Sequence, residues 1–118
     1  MEKFMQILNT AEELKITTFH FYACEGIKKL VLEDTPAGEH RRERELRYLK
    51  AMYTEAIMNS RDARIGMQRE LTKLADIEIW EPERFTGTMF ERVIELRKQI
   101  ADCRAKETQY INAREELK

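Results

Sequence analysis

Residues 46–67, LRYLKAMYTEAIMNSRDARIGM, decide the fold. The stretch has no Pro and one Gly. Leu46, Leu49, Tyr53, Ala56, Ser60, Ala63 and Met67, continued by Leu74, recur at spacings of three and four, which is one face of a helix. A second set, Tyr48, Ala51, Met52, Met58 and Ile65, points elsewhere. A surface helix needs only one apolar stripe. Two stripes predict a helix covered on two sides, either by its own bundle or by another subunit. A chain with few helices has little surface to spare for both, so a dimer or higher oligomer is expected. The small residues Ala56, Ser60 and Ala63 predict close helix approach along the main seam.

Working outward, Asp34-Thr35-Pro36-Ala37-Gly38 marks a start. Thr35 suits the N-cap, and Pro36 suits the first helical position, where its missing N–H is not needed. The run 77–87, holding Trp80, Pro82, Phe85 and Gly87, reads as the one long connection. The central helix is therefore expected over 36–76, about 40 residues and ~60 Å. Asn59-Ser60-Arg61-Asp62 and Gly66 are poor helix formers, and a break near 59–66 would divide it. Thr88-Met89-Phe90-Glu91 matches a capping box and opens a helix to the C-terminus. Its seam is Met89, Val93, Leu96, Ile100, Cys103 and Tyr110, interrupted by Glu107. Thr10-Ala11-Glu12-Glu13 is a similar box and predicts a first helix over 11–33. The expectation is an all-α single domain over 1–118. It is an antiparallel bundle of three long helices, or four if the central one breaks, with coiled-coil-like packing.

Composition agrees. Of 118 residues, 36% are charged and only four are Gly and two Pro, which suits helices and not a sandwich or barrel. Two cysteines give no disulfide framework and read as free thiols in a reducing compartment. No run approaches the ~18 apolar residues of a membrane span, and the start lacks the basic, apolar pattern of a signal peptide. A complete cytoplasmic protein is expected.

The stretch with the most reactive groups is 16–25, ITTFHFYACE. On a helical wheel Ile16, Phe19, Ala23, Cys24, Ile27, Leu30 and Val31 form one arc, with His20 inside it and Phe21 turned away. His20 and Cys24, four apart, are candidate metal ligands, with Cys103 a third and His40 a fourth. The chain has no Cys-x-x-Cys, no Glu-x-x-His and two histidines in all, so a hydrogen-bonded core histidine is the preferred reading and no cofactor is expected. Ser60 is the only serine, and the four glycines are isolated, which leaves no activated nucleophile or phosphate loop.

Charge is distributed unevenly. Residues 1–39 carry four basic and seven acidic side chains (−3), residues 40–75 nine and five (+4), and residues 76–118 eight and ten (−2). Arg41, Arg42, Arg44 and Arg47 cluster at the start of the central helix. They could contact phosphates of a nucleic acid, but Glu43, Glu45 and Glu55 interrupt them, and complementarity to acidic helices or a protein partner is favoured. Trp80 and Phe85 are either an end cap for the bundle or partner anchors. The expected function is a non-enzymatic protein–protein interaction module: an adaptor, regulator, inhibitor or chaperone-like protein. Nucleic-acid binding through the four arginines, and small-ligand or metal binding between helices, are the alternatives.

Overall fold

In the computed structural model, residues 2–16 and 25–117 are described. The fold is an all-α helical bundle, and the described residues contain no strand. Four α-helices follow in order: α1 (Glu2–Glu13), α2 (Glu25–Val31), α3 (Pro36–Trp80) and α4 (Gly87–Glu115), with a 3-10 turn at Pro82–Arg84.

The first helix begins earlier than Ala11 and ends earlier than Glu33. Phe4, Ile7, Leu8 and Ala11 form its buried face at helical spacing, so Thr10 lies inside α1 and does not cap it. Its carbonyl accepts the Leu14 N–H in the ordinary helical pattern. The helix stops in a Schellman motif. The Lys15 N–H donates to the Glu12 carbonyl and the Ile16 N–H to the Ala11 carbonyl, with Lys15 left-handed at φ 60°. Among the described residues there are thus four helices, but the additional end falls at Leu14–Ile16 and not at 59–66. Most of the aromatic stretch, including Phe19, His20, Phe21 and Cys24, lies outside the described residues.

Helix α3 runs unbroken for 45 residues, through Asn59–Asp62 and Gly66. Its start is as expected: the Thr35 hydroxyl accepts the Gly38 N–H at 3.0 Å, with Pro36 first in the helix. It continues four residues past Asp76, because Pro82 disfavours helix only from Glu81 onward. Helix α4 is capped by Thr86, whose hydroxyl accepts the Met89 N–H at 3.3 Å, so the Thr88 box is not the cap. Placing the cap at Thr86 starts the helix at Gly87, two residues earlier, and shortens the connection.

The chain divides into two compact units. The first, residues 1–56 with 109–118, holds α1, α2, the start of α3 and the end of α4. Its core is Phe4, Ile7, Leu8, Ala11, Val31, Leu49, Tyr53 and Ala113, edged by Ile27, Leu46 and Tyr110. The second, residues 57–108, is an antiparallel pair made from the remainder of α3 and α4, with Ile57, Val93, Leu96 and Ile100 buried. Its seam on α3 runs through Ile57, Ser60, Arg64, Met67, Leu71 and Leu74, all at least half-buried. The expected Ala56 is half-buried, but the seam does not follow Ala63: Ala63 is exposed, and Arg64 turns inward because Glu107 of α4 receives it.

Candidate functional site

In the first unit, the arginines at the start of α3 do not share one role. Arg42 Nη1 donates to the carbonyls of Val31 and Glu33, both at 2.9 Å, and so ties off the C-terminal end of α2. Arg41 is half-buried and its Nε finds no hydrogen-bond partner. Arg44 reaches the Tyr48 hydroxyl at 3.5 Å, and Arg47 is exposed. Gly38 lets the first turn of α3 meet the end of α2: a Cβ there would strike the backbone carbonyls of Glu33 and Leu30. One turn past Arg41, Glu45 is fully buried with neither carboxylate oxygen hydrogen-bonded. Sequence reasoning took this glutamate as an interruption of a solvated basic face, and only the packing reveals its burial.

Tyr53, at the centre of this unit, has its hydroxyl pushed up to about 12, first by burial and then by the charge of Glu116. Its ring lies 6.5 Å from that of Tyr110. An open groove of about 330 Å³ is lined by Lys3 and Arg42 on one hand and Glu39, Glu43 and Glu116 on the other, so no single charge sign dominates it.

Of the metal candidates, His20 and Cys24 lie outside the described residues. Cys103 is half-buried on the α4 seam, and His40 is exposed on the first turns of α3. Among the described residues no three His, Cys, Asp or Glu side chains gather in a way that could hold an ion.

The second unit has a polar latch and two unlike faces. Glu107, which interrupts the α4 seam, accepts Arg64 through both oxygens, at 2.7 and 3.3 Å, and Arg61 at 3.2 Å. The hydrogen bond from Arg64 is the main cause that holds the Glu107 carboxyl below the usual range and raises Arg64. One face of the helix pair is polar and joined by ions. Arg92 holds Glu70 through two hydrogen bonds, at 2.8 and 3.0 Å, and also pairs with Glu95, which accepts Gln99. Arg92 thereby lowers the Glu70 carboxyl.

The other face mixes exposed apolar side chains with polar and basic ones. In an antiparallel pair, the residue that follows a seam position lands on the same side for both helices, because each helix winds right-handed while running the opposite way. On α3 the residues that follow seam positions are Met58, Arg61, Ile65, Gln68, Thr72 and Ala75, and on α4 they are Phe90, Ile94, Arg97, Ala101 and Arg104. They therefore share one side. The large apolar side chains among them are exposed: Met58 by 58%, Ile65 by 40%, Phe90 by 55% and Ile94 by 54%. Sequence reasoning takes Met58 and Ile65 as part of a second stripe on the central helix, and Phe90, Ile94 and Ala101 as residues that widen the seam of the last helix, without placing them on a common side.

Trp80, the last residue of α3, is 79% exposed, whereas Phe85 is half-buried after the 3-10 turn. No helix among the described residues is long and apolar enough to cross a membrane. No family model matches the sequence, and neither a curated protein nor a solved structure matches it.

Proposed function

We propose that this chain is a non-enzymatic protein–protein interaction module of the adaptor, regulator, inhibitor or chaperone-like kind, cytoplasmic, working through its helix surfaces and self-associating. The observation that carries this reading is the set of large apolar side chains exposed on one side of the second unit. Single apolar side chains on a surface are ordinary, but large contiguous patches mark interaction sites. Here four large apolar residues, Met58, Ile65, Phe90 and Ile94, lie exposed on one side of a helix pair whose other side is ion-paired. Trp80 adds an exposed aromatic of the type that anchors partners.

Protein binding is favoured over nucleic-acid binding because Arg42, one of the four clustered arginines, is spent on backbone carbonyls and Arg41 is half-buried. The test is cross-linking capture with the wild-type chain beside Phe90→Glu, Ile94→Glu and Trp80→Ala. A captured chain, itself included, should be lost on the face variants while helical content is retained. Capture that survives all three substitutions would overturn the reading.

A further inference from the structure

We infer that the tip of the second unit, where α3 ends and α4 begins, is a docking surface for a basic segment of another protein, one that carries Lys or Arg beside apolar anchors. This rests on the interaction reading above and names the chemistry of the partner.

The tip exposes large apolar side chains. Trp80 is 79% exposed, Ile79 65% and Phe90 55%. Ile79 lies one turn beyond Ala75, so it falls on the side that Ala75 shares with Phe90 and Ile94. Trp80 stands beside it, about 100° further round the helix. Only residues 81–86 separate the two helices, which keeps their ends together. Met58, ~33 Å back along α3, lies clear of this surface.

Charge says what covers the tip. Residues 76–91 carry five acidic side chains, Asp76, Glu78, Glu81, Glu83 and Glu91, against one basic, Arg84, a balance of −4. All six are exposed, and Arg84 is spent on Glu81 at 2.7 Å. Among the described residues, no salt bridge reaches the other four carboxylates. The next bases along the chain are Lys73, two turns before Trp80, and Arg92, which Glu70 and Glu95 hold. The fold itself does not call for this charge. Carboxylates suit a helix N-terminus and cations a C-terminus. Yet the last turn of α3 contains Glu78 and no base, and the first turn of α4 contains no acid. A partner that brings positive charge removes this conflict, and the Trp80 ring accepts Lys or Arg on its face. The same charge turns away nucleic acid, anionic lipid and a second copy laid tip to tip, where −4 would meet −4.

Trp80 is the only tryptophan, so its emission reads this surface alone. The probe is a synthetic amphipathic helix of lysine and leucine, titrated into the full chain. Trp80 emission should shift to the blue, and affinity should fall about tenfold between ~0.05 and ~0.5 M salt. Glu78→Lys with Glu83→Lys should weaken binding about tenfold at low salt. Glu12→Lys with Glu13→Lys makes the same charge change at exposed positions of α1 and should leave it unaltered. Phe90→Ala should weaken it as well. All of these side chains are exposed, and Lys at 78 suits a helix C-terminus, so helical content should be retained. A glutamate–leucine peptide that shifts the emission equally would overturn the inference, as would equal loss of affinity from the two lysine pairs. Emission that shifts with chain concentration alone, or with phosphatidylserine vesicles, would overturn it by naming another occupant. A chain that ignores the lysine peptide, yet loses its captured partner on Trp80→Ala, would overturn the basic partner and leave the interaction reading standing.

Discussion

At the scale of single residues, two positions act against the fold and should improve when replaced. Lys15 sits in the left-handed region at φ 60° to close α1, where a side chain costs about 1–2 kcal/mol and glycine nothing. Part of that gain is offset by the extra freedom glycine has in the unfolded chain. Lys15→Gly should therefore raise stability by about 0.5–1 kcal/mol, measured by urea unfolding. Glu45 is the second. Its carboxylate is fully buried with neither oxygen hydrogen-bonded, so it has lost water without gaining a donor. Glu45→Leu should raise Tm, as replacing poorly compensated buried charge with apolar volume often does. A fall in Tm would mean that the carboxylate is satisfied. Neither residue stands out in the sequence. Lysine carries no preference for a left-handed position, and a glutamate in a run of charges looks solvated until its neighbours are known.

At the scale of elements, the α2–α3 corner and the Glu107 latch carry the specific contacts. Gly38→Ala in an ordinary helix would gain up to about 1 kcal/mol. Here its Cβ meets two backbone carbonyls that cannot swing away, so the sign reverses and Tm should drop. Glu107 ties α4 to α3, and its carboxyl is held below the usual 4.5 chiefly by Arg64. A lowered carboxyl contributes stability above 4.5, and the contribution is lost as pH falls through its shifted value. Thermal melts should therefore show Glu107→Gln less stable than wild type at neutral pH, with the gap closing on acidification. A gap that stays constant with pH would contradict this. The sequence carried much of this level. The α4 seam, the Ser60, Met67 and Leu74 positions of the α3 seam, the Thr35 cap and the polar interruption at 107 all follow from the sequence. Two boundaries were missed because residue types that favour caps, Thr10 and Thr88, lay next to helical periodicities that simply continued through them. Arg64 was missed as a seam residue because a charged side chain is inward only when an opposite charge from another helix receives it.

At the scale of the whole molecule, 45- and 29-residue helices supply both compact units. The first unit encloses a core drawn from all four helices. The second has only two helices, which bury one seam and leave Met58, Ile65, Phe90 and Ile94 exposed on one side. The sequence pointed to this imbalance through its second stripes, since α3 carries more apolar positions than one seam can use. It could not say whether those positions shared a side, because that depends on how α3 and α4 are registered.

The native Met58 side chain reports on that side most directly, since it needs no substitution and is 58% exposed. Hydroxyl-radical footprinting of the wild-type chain would compare oxidation at Met58 with oxidation at Met5, which lies on α1 in the first unit. Self-association through this side predicts that Met58 becomes steadily protected relative to Met5 as chain concentration rises. Equal reactivity of Met58 at low and high concentration would contradict it.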